Sequence, residues 1–200
     1  MGLKKIASYF IFLGLLVSGC TNPFSLRTPE PPILDSGQNV LNLQSDPDSL
    51  LKKMIVAFKE RNSTYYLETL ASPETTGRTF VFVPEKSESY RFSGWNRTEE
   101  GNYFFNLINQ PDLKGLTLRL FNPESWRQAP TSVDTLSTNI SYEIVVQKIT
   151  HTERYVGRAA FTVIRNSFSQ WYIWRWEDFK LRDEQTENTW STLKANYRVQ

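Results

Sequence analysis

The residues best equipped for chemistry lie in one aromatic run near the end of the chain, Trp171-Tyr172-Ile173-Trp174-Arg175-Trp176-Glu177-Asp178. Alternate side chains of a strand point to opposite faces. Tyr172, Trp174, Trp176 and Asp178 are therefore expected on one side, and Trp171, Ile173, Arg175 and Glu177 on the other. A carboxylate closing an aromatic row loses hydration, which raises its pKa toward the range of a general base. Asp178 as base and Tyr66 as proton donor are thus the candidate catalytic pair, for isomerisation, dehydration or hydrolysis of a hydrophobic substrate. The competing reading makes these aromatics sheet-packing core. Asp178 then caps the strand end or pairs with Arg175 or Arg182. Tyr66, Trp95, Tyr172, Trp174 and Trp176 are the candidate lining of an apolar pocket, although aromatics at helix and strand positions also serve as core.

Other chemistries find little support. The single histidine, His151, sits in the polar stretch Thr150-His151-Thr152-Glu153-Arg154, where a solvated loop residue is the plainer reading than a base. One Cys and one His exclude a disulfide framework and a zinc cage built from this chain alone. Neither a Gly-rich phosphate loop nor a Gly-x-Ser-x-Gly elbow is present. No metal and no cofactor are expected. The chain carries 23 Lys and Arg against 21 Asp and Glu, a net charge of +2, and Lys4 and Lys5 account for the surplus. The remainder is neutral, so a general nucleic-acid binder, which needs a basic stripe, is disfavoured. A hydrophobic fraction of 40% and an aromatic fraction of 14% exclude a mostly disordered chain.

The only cysteine falls in a telling place. Lys4 and Lys5 precede an uncharged run from Ile6 to Val17, followed by Ser18-Gly19-Cys20. That is a positive n-region, an h-region too short to span a bilayer, and a small-residue cleavage site. Val17-Ser18-Gly19-Cys20 resembles the bacterial lipobox. The resemblance implies a signal peptide over 1–19, cleavage before Cys20 and acylation of Cys20. Each buried CH₂ contributes about 0.8 kcal/mol, so two or three acyl chains anchor a protein stably to a membrane. Thr21, rather than Asp, implies the outer membrane in a Gram-negative envelope; in a Gram-positive one the motif implies the outer face of the cytoplasmic membrane. Residues 20–39 are Pro-rich and lack an apolar period, so they read as a tether.

The elements that would position the candidate residues lie within residues 40–199, about one domain in size. Asp46 and Pro47 open a helix whose Leu50, Leu51, Met54, Ile55 and Phe58 face inward, with Lys52, Lys53, Lys59 and Glu60 facing away. Ser63 is placed to cap a second helix carrying Tyr66, which Pro73 stops. Residues 79–84 read as a strand buried on both faces, and 98–109 as a short helix. Strands follow at 116–120, 142–147, 159–164 and 171–179, with Thr150 to Gly157 as a polar hairpin connection. A terminal helix near 189–198 packs Trp190, Leu193 and Tyr197 back on the domain. This order implies an α+β fold: a curved antiparallel sheet of about four to six strands wrapped on N-terminal helices, in a single domain.

The run Leu50–Tyr66, the strand Phe80-Val81-Phe82-Val83 and the closing Trp-rich strand resemble the nuclear-transport-factor-2-like superfamily of cystatin-like cones, and uncharacterised bacterial lipoproteins that carry such a domain. The resemblance covers about three quarters of the chain and implies a cone with an internal cavity. Enzymes of the superfamily use an acid or histidine with tyrosine donors, and the residues here match neither constellation. The expected function is therefore a non-catalytic envelope module that binds an apolar small molecule or an envelope protein. The small acid/base enzyme is the alternative, and a homodimer through the open sheet face is compatible with both.

Overall fold

A computed structural model describes residues 44–130, 132–181 and 188–198. The chain divides into two units, residues 1–35 and 36–200, and every described residue belongs to the second. The expected signal segment, Cys20, the expected tether and Arg182 lie outside the described residues.

Helix α1, Pro47–Glu60, starts where the side chain of Asp46 accepts the Ser49 amide at 2.8 Å, with Pro47 in the first turn. It ends on Arg61, whose φ of 52° breaks the helical hydrogen-bond run. Leu50, Leu51, Met54, Ala57 and Phe58 are buried as the periodicity requires. Lys53 departs from expectation. It is buried, and its ammonium is held by Gln44 Oε1 at 2.8 Å and Glu68 at 2.7 Å. Helix α2, Ser63–Glu68, is capped by Asn62, not Ser63. It ends at Glu68 with Thr69 as its C-cap, before Pro73 is reached, and Pro73 instead opens a short helix α3, Pro73–Thr76, capped by Ser72.

Strand β1 is Val81–Val83, followed by a 3-10 turn at Lys86–Arg91 and helix α4, Arg97–Ile108. Then come β2 (Leu113–Phe121), β3 (Arg127–Ala129), β4 (Ser132–Lys148), β5 (Thr152–Arg165), β6 (Trp171–Phe179) and helix α5 (Trp190–Asn196). Among the described residues these strands form a six-stranded sheet in the order β1-β6-β5-β4-β2, with β3 also on β4. The α+β class and the curved sheet on helices are as the sequence implies.

Three details differ. The sheet is mixed, because β1 pairs with β6 in parallel. β1 is also an edge strand with Val81 exposed, so it is not covered on both faces. The β4–β5 hairpin is far tighter than a loop from Thr150 to Gly157, since Gln147 already faces Thr152.

Register shifts in the pairings of β2, β3 and β5 mark bulges, which bend and twist long strands. The bulge opposite β5 has the largest consequence. Thr162 pairs with Arg175 and Val163 with Ile173, leaving Trp174 as the extra residue. The side-chain alternation of β6 therefore changes phase at Trp174. Trp171 and Ile173 join Trp176 and Asp178 on the core side, while Tyr172 packs with Ala71, Ile164 and Trp174 in a separate cluster. The expected row Tyr172, Trp174, Trp176, Asp178 is split between two faces.

Candidate functional site

The cone interior is polar at its centre. Asp178 is only 2% exposed and lies near the end of β6. Its Oδ1 accepts the Tyr142 hydroxyl at 2.6 Å, and its Oδ2 accepts the Ser191 amide at 2.7 Å and the Ser191 hydroxyl at 2.6 Å. The Trp190 amide donates to the Tyr142 oxygen at 2.7 Å. The first amides of a helix have no partner within it. Asp178 and Tyr142 supply those partners, so together they cap α5 from the sheet. Asp178 thus has the structural task of a cap, on a helix rather than on its own strand; Arg175 pairs with Glu177 at 2.9 Å.

Tyr142 reaches Asp178 because of a glycine. Gly157 lies opposite Tyr142 in the β4–β5 register. A methyl group at Gly157 would overlap the Tyr142 hydroxyl and the Phe179 carbonyl oxygen. The bare backbone lets the ring lie across β5.

A second carboxylate, Glu100 on α4, is fully buried. It accepts the Tyr66 hydroxyl at 2.5 Å and the Trp95 indole N–H at 2.7 Å. Tyr66 and Tyr103 share a hydrogen bond at 3.0 Å, and the Trp190 indole N–H donates to Tyr103 at 3.1 Å. Lys194 of α5, also without exposure, places Nζ 2.6 Å from Glu100 Oε1. The two form an ion pair with no solvent exposure on either side chain. The ammonium lies 3.5 Å from the ring centres of both Phe82 and Trp176, a cation held between two π faces.

Burial sets the titration of these groups. Desolvation raises Asp178 above the usual carboxyl value, against the hydrogen bonds from Ser191 and Tyr142. Desolvation also pushes Lys194 down to about 8, against the pull of Glu100 and Asp178. Tyr66, Tyr103 and Tyr142 are pushed well above 10 by burial and by the adjacent carboxylates, so they remain donors. In an open pocket, a raised acid, phenol donors and a lysine titrating near 8 would make an acid/base site. Here α5 fills the space. Trp190 packs edge-on against Trp176 at 4.2 Å and Tyr142 at 5.0 Å, with Lys194 beside it.

The sequence candidates disperse accordingly. Tyr66 and Trp176 are interior, and Trp95 is partly buried against the core. Trp174 lies on the outer cluster, its ring 5.0 Å from the Arg78 guanidinium. Tyr172 lines a surface cavity of about 300 Å³ with Gln44, Lys53 and Glu68. His151 is exposed, with Nε2 3.0 Å from Glu153. A larger surface cavity of about 530 Å³ is polar, lined by Asn106, Asn109, Gln110, Glu153, Tyr197 and others. Sequence reasoning missed Glu100, Lys194 and the Tyr142–Gly157 pair. Helical spacing carried a signal for the first two: Glu100 shares a face with Tyr103, Phe104 and Leu107, and Lys194 with Trp190 and Tyr197. Among the described residues no cluster of three or more His, Cys, Asp and Glu has metal-holding geometry, and no helix is long and apolar enough to cross a membrane.

The fold itself is a recurrent one. A nuclear-transport-factor-2-like superfamily protein from Salmonella enterica is 10% identical, with a TM-score of 0.52 over 74% of this chain and 98% of that one. A protein provisionally assigned as a scytalone dehydratase from Novosphingobium aromaticivorans is 9% identical, with a TM-score of 0.53 over 71% and 87%. A protein of unknown function from Mycobacterium tuberculosis is 9% identical, with a TM-score of 0.51 over 84% and 90%. The chain therefore has the nuclear-transport-factor-2-like fold. Identity this low shows the fold alone, and the fold hosts unrelated activities. No protein-family model and no curated protein matches the chain.

Proposed function

We propose that this chain is a non-catalytic binding or scaffolding module, held at a bacterial cell envelope by acyl chains on Cys20. The observation that carries the non-catalytic half is the occupation of the cone by Trp190 and Lys194. Both candidate catalytic groups are spent inside. Asp178 caps α5, and Tyr66 donates to Glu100. A substrate would have to displace a helix to reach either. Of the aromatic set expected to line an apolar pocket, Tyr66 and Trp176 are core of the cone with Trp95 packed against it, while Tyr172 and Trp174 lie in the outer cluster, so binding takes place on the outer surface. Support for the anchor comes from Lys4-Lys5, the apolar run to Val17 and Ser18-Gly19-Cys20. Thr21 after Cys20 favours the outer membrane in a Gram-negative host.

Two measurements on the full chain test the two halves. Intact mass of protein extracted from bacterial membranes is expected to show cleavage before Cys20 and added acyl chains, both lost in Cys20→Ser. Native mass spectrometry is expected to show no retained apolar small molecule. A retained one would establish an apolar pocket and overturn binding on the outer surface, and turnover that disappears in a folded Asp178→Asn variant would establish the enzyme reading instead.

A further inference from the structure

The surface cavity of about 530 Å³ lies where the end of α4, the β4–β5 hairpin and the end of α5 meet. Its volume falls within the range of small-molecule sites, about 300–1,000 Å³, but its lining does not follow their mostly apolar pattern. Three lining amides are turned the same way. Asn106 Nδ2 donates to the Tyr197 carbonyl at 2.9 Å, Asn109 Nδ2 to the Phe105 carbonyl at 2.8 Å and Gln110 Nε2 to the Asn106 carbonyl at 2.9 Å. A carbonyl accepts only, so these bonds fix which end of each amide is nitrogen. The three amide oxygens are left as positioned acceptors, and none has a donor among the described residues.

Donors stand beside them. The Lys148 ammonium lies 3.0 Å from Glu153 Oε1 and also donates to the Tyr197 hydroxyl, which leaves one of its three N–H groups over. Tyr197 is only 9% exposed, and its own O–H has no acceptor among the described residues. Burial raises its pKa above the usual 10, so at neutral pH it keeps that proton to give. Every charge in the lining is already matched. Lys148 has Glu153, and Arg198 has Glu99 at 3.1 Å, its other two nitrogens donating to the carbonyls of Arg91 and Ser93. An anion would meet Glu153 and cations already engaged, and a cation would meet Lys148 and Arg198. An apolar molecule would strip water from the amide oxygens and the phenol without replacing it.

We infer that this cavity binds a neutral saccharide, whose hydroxyl groups donate to the oxygens of Asn106, Asn109 and Gln110 and accept from Tyr197 and Lys148. The inference rests on the reading above that binding takes place on the outer surface, and gives it a place and a ligand class. A saccharide carries a hydroxyl on most of its carbons, each a donor and an acceptor at once. That matches three fixed acceptors set beside two donors in a lining without net charge. A peptide backbone has one donor per residue, so three acceptors from one helix end suit it less well than a sugar ring.

The test is a nuclear magnetic resonance titration of the full-length chain, nitrogen-labelled and held in detergent micelles. The probes are N-acetylglucosamine and maltose, then inorganic phosphate, putrescine and an uncharged blocked dipeptide. The side-chain amide signals of Asn106, Asn109 and Gln110 are expected to shift with a sugar, while that of Asn139, in a separate polar cavity on the outer sheet face, stays in place. Tyr197→Phe and Gln110→Met, on different elements, should each weaken sugar binding about 2- to 12-fold, the worth of one neutral hydrogen bond. If one variant fails to fold, the other still reads the site. Larger shifts with phosphate, putrescine or the dipeptide than with either sugar overturn the saccharide assignment. Sugar shifts confined to Asn139, or no shift at all, overturn the site and leave the outer-surface reading standing. An apolar molecule retained in native mass spectrometry, with no sugar shift, overturns both.

Discussion

Glu100 and Asp178 are two buried carboxylates satisfied in different ways. Glu100 faces a cation, Lys194, with a phenol and an indole completing its shell. Asp178 has hydroxyl and amide donors at contact distance, and two of those donors belong to a helix start. Removing one member of a buried ion pair strands a charge, whereas weakening a set of dipoles loses hydrogen bonds. The two sites should therefore respond differently to substitution and to pH. In both, α5 supplies the partner, which is why a seven-residue helix can hold the interior closed.

The largest effect is expected at the ion pair. Lys194→Met leaves Glu100 uncompensated and should cost about 3–5 kcal/mol in urea unfolding at pH 7. Adding Glu100→Gln should recover most of that loss, and a double variant no better than the single would show that the pair is not the unit. The pH dependence has a definite sign. Folding depresses Lys194 from 10.5 to about 8, so above pH 8 the folded state releases this proton while the unfolded state keeps it. Wild-type stability should thus gain a contribution as pH rises from about 8 toward 10.5, and Lys194→Met should lack it.

Asp178→Asn comes next, at about 1.5–3 kcal/mol, because one amide oxygen cannot accept from all three donors. Here the pH sign is opposite. A raised carboxyl stabilises the fold below its usual value of 3.8, and that contribution is lost as pH rises through the folded value. The gap between wild type and Asp178→Asn should narrow from acid toward neutral pH. Gly157→Ala attacks the same site through its geometry, pushing Tyr142 off Asp178. It should cost about 1–2 kcal/mol, as modest overpacking does. A Gly157→Ala, Asp178→Asn double variant should fall short of the sum of the two losses, which thermal melts can read.

Much of this framework was legible locally. Asp46-Pro47 announces α1, the apolar spacing of α4 is plain, and β6 spans residues 171–179 as its aromatic run suggests. The face assignment along β6 was not legible, because the bulge at Trp174 arises from pairing with β5 and leaves no mark in its own sequence. Lys53 and Lys194 were misplaced or overlooked for a related reason. A charged residue at an apolar helical position reads as solvated until its distant partner, Glu68 or Glu100, is placed beside it. The cap on α5 joins residues far apart in the chain, and only tertiary structure brings them together.

Glu143 extends the contrast to the outer face. It too sits between cations, Arg119 at 3.1 Å and Arg154 at 2.6 Å, but on the solvent side of the sheet. These bonds hold its carboxyl below the usual value of 4.5, with the Arg154 hydrogen bond as the main cause. A depressed carboxyl stabilises above its unfolded value, and that contribution is lost as pH falls through the folded one. Water screens this pair, so Glu143→Gln should cost only about 0.2–1 kcal/mol. The loss should shrink further in molar salt, where the Debye length is about 3 Å. The Lys194→Met loss should hold nearly constant over the same salt range, because no ion reaches a pair without solvent exposure. Equal salt sensitivity of the two variants would mean that water reaches Lys194. The cone would then open in solution, and Asp178 would regain its standing as a base.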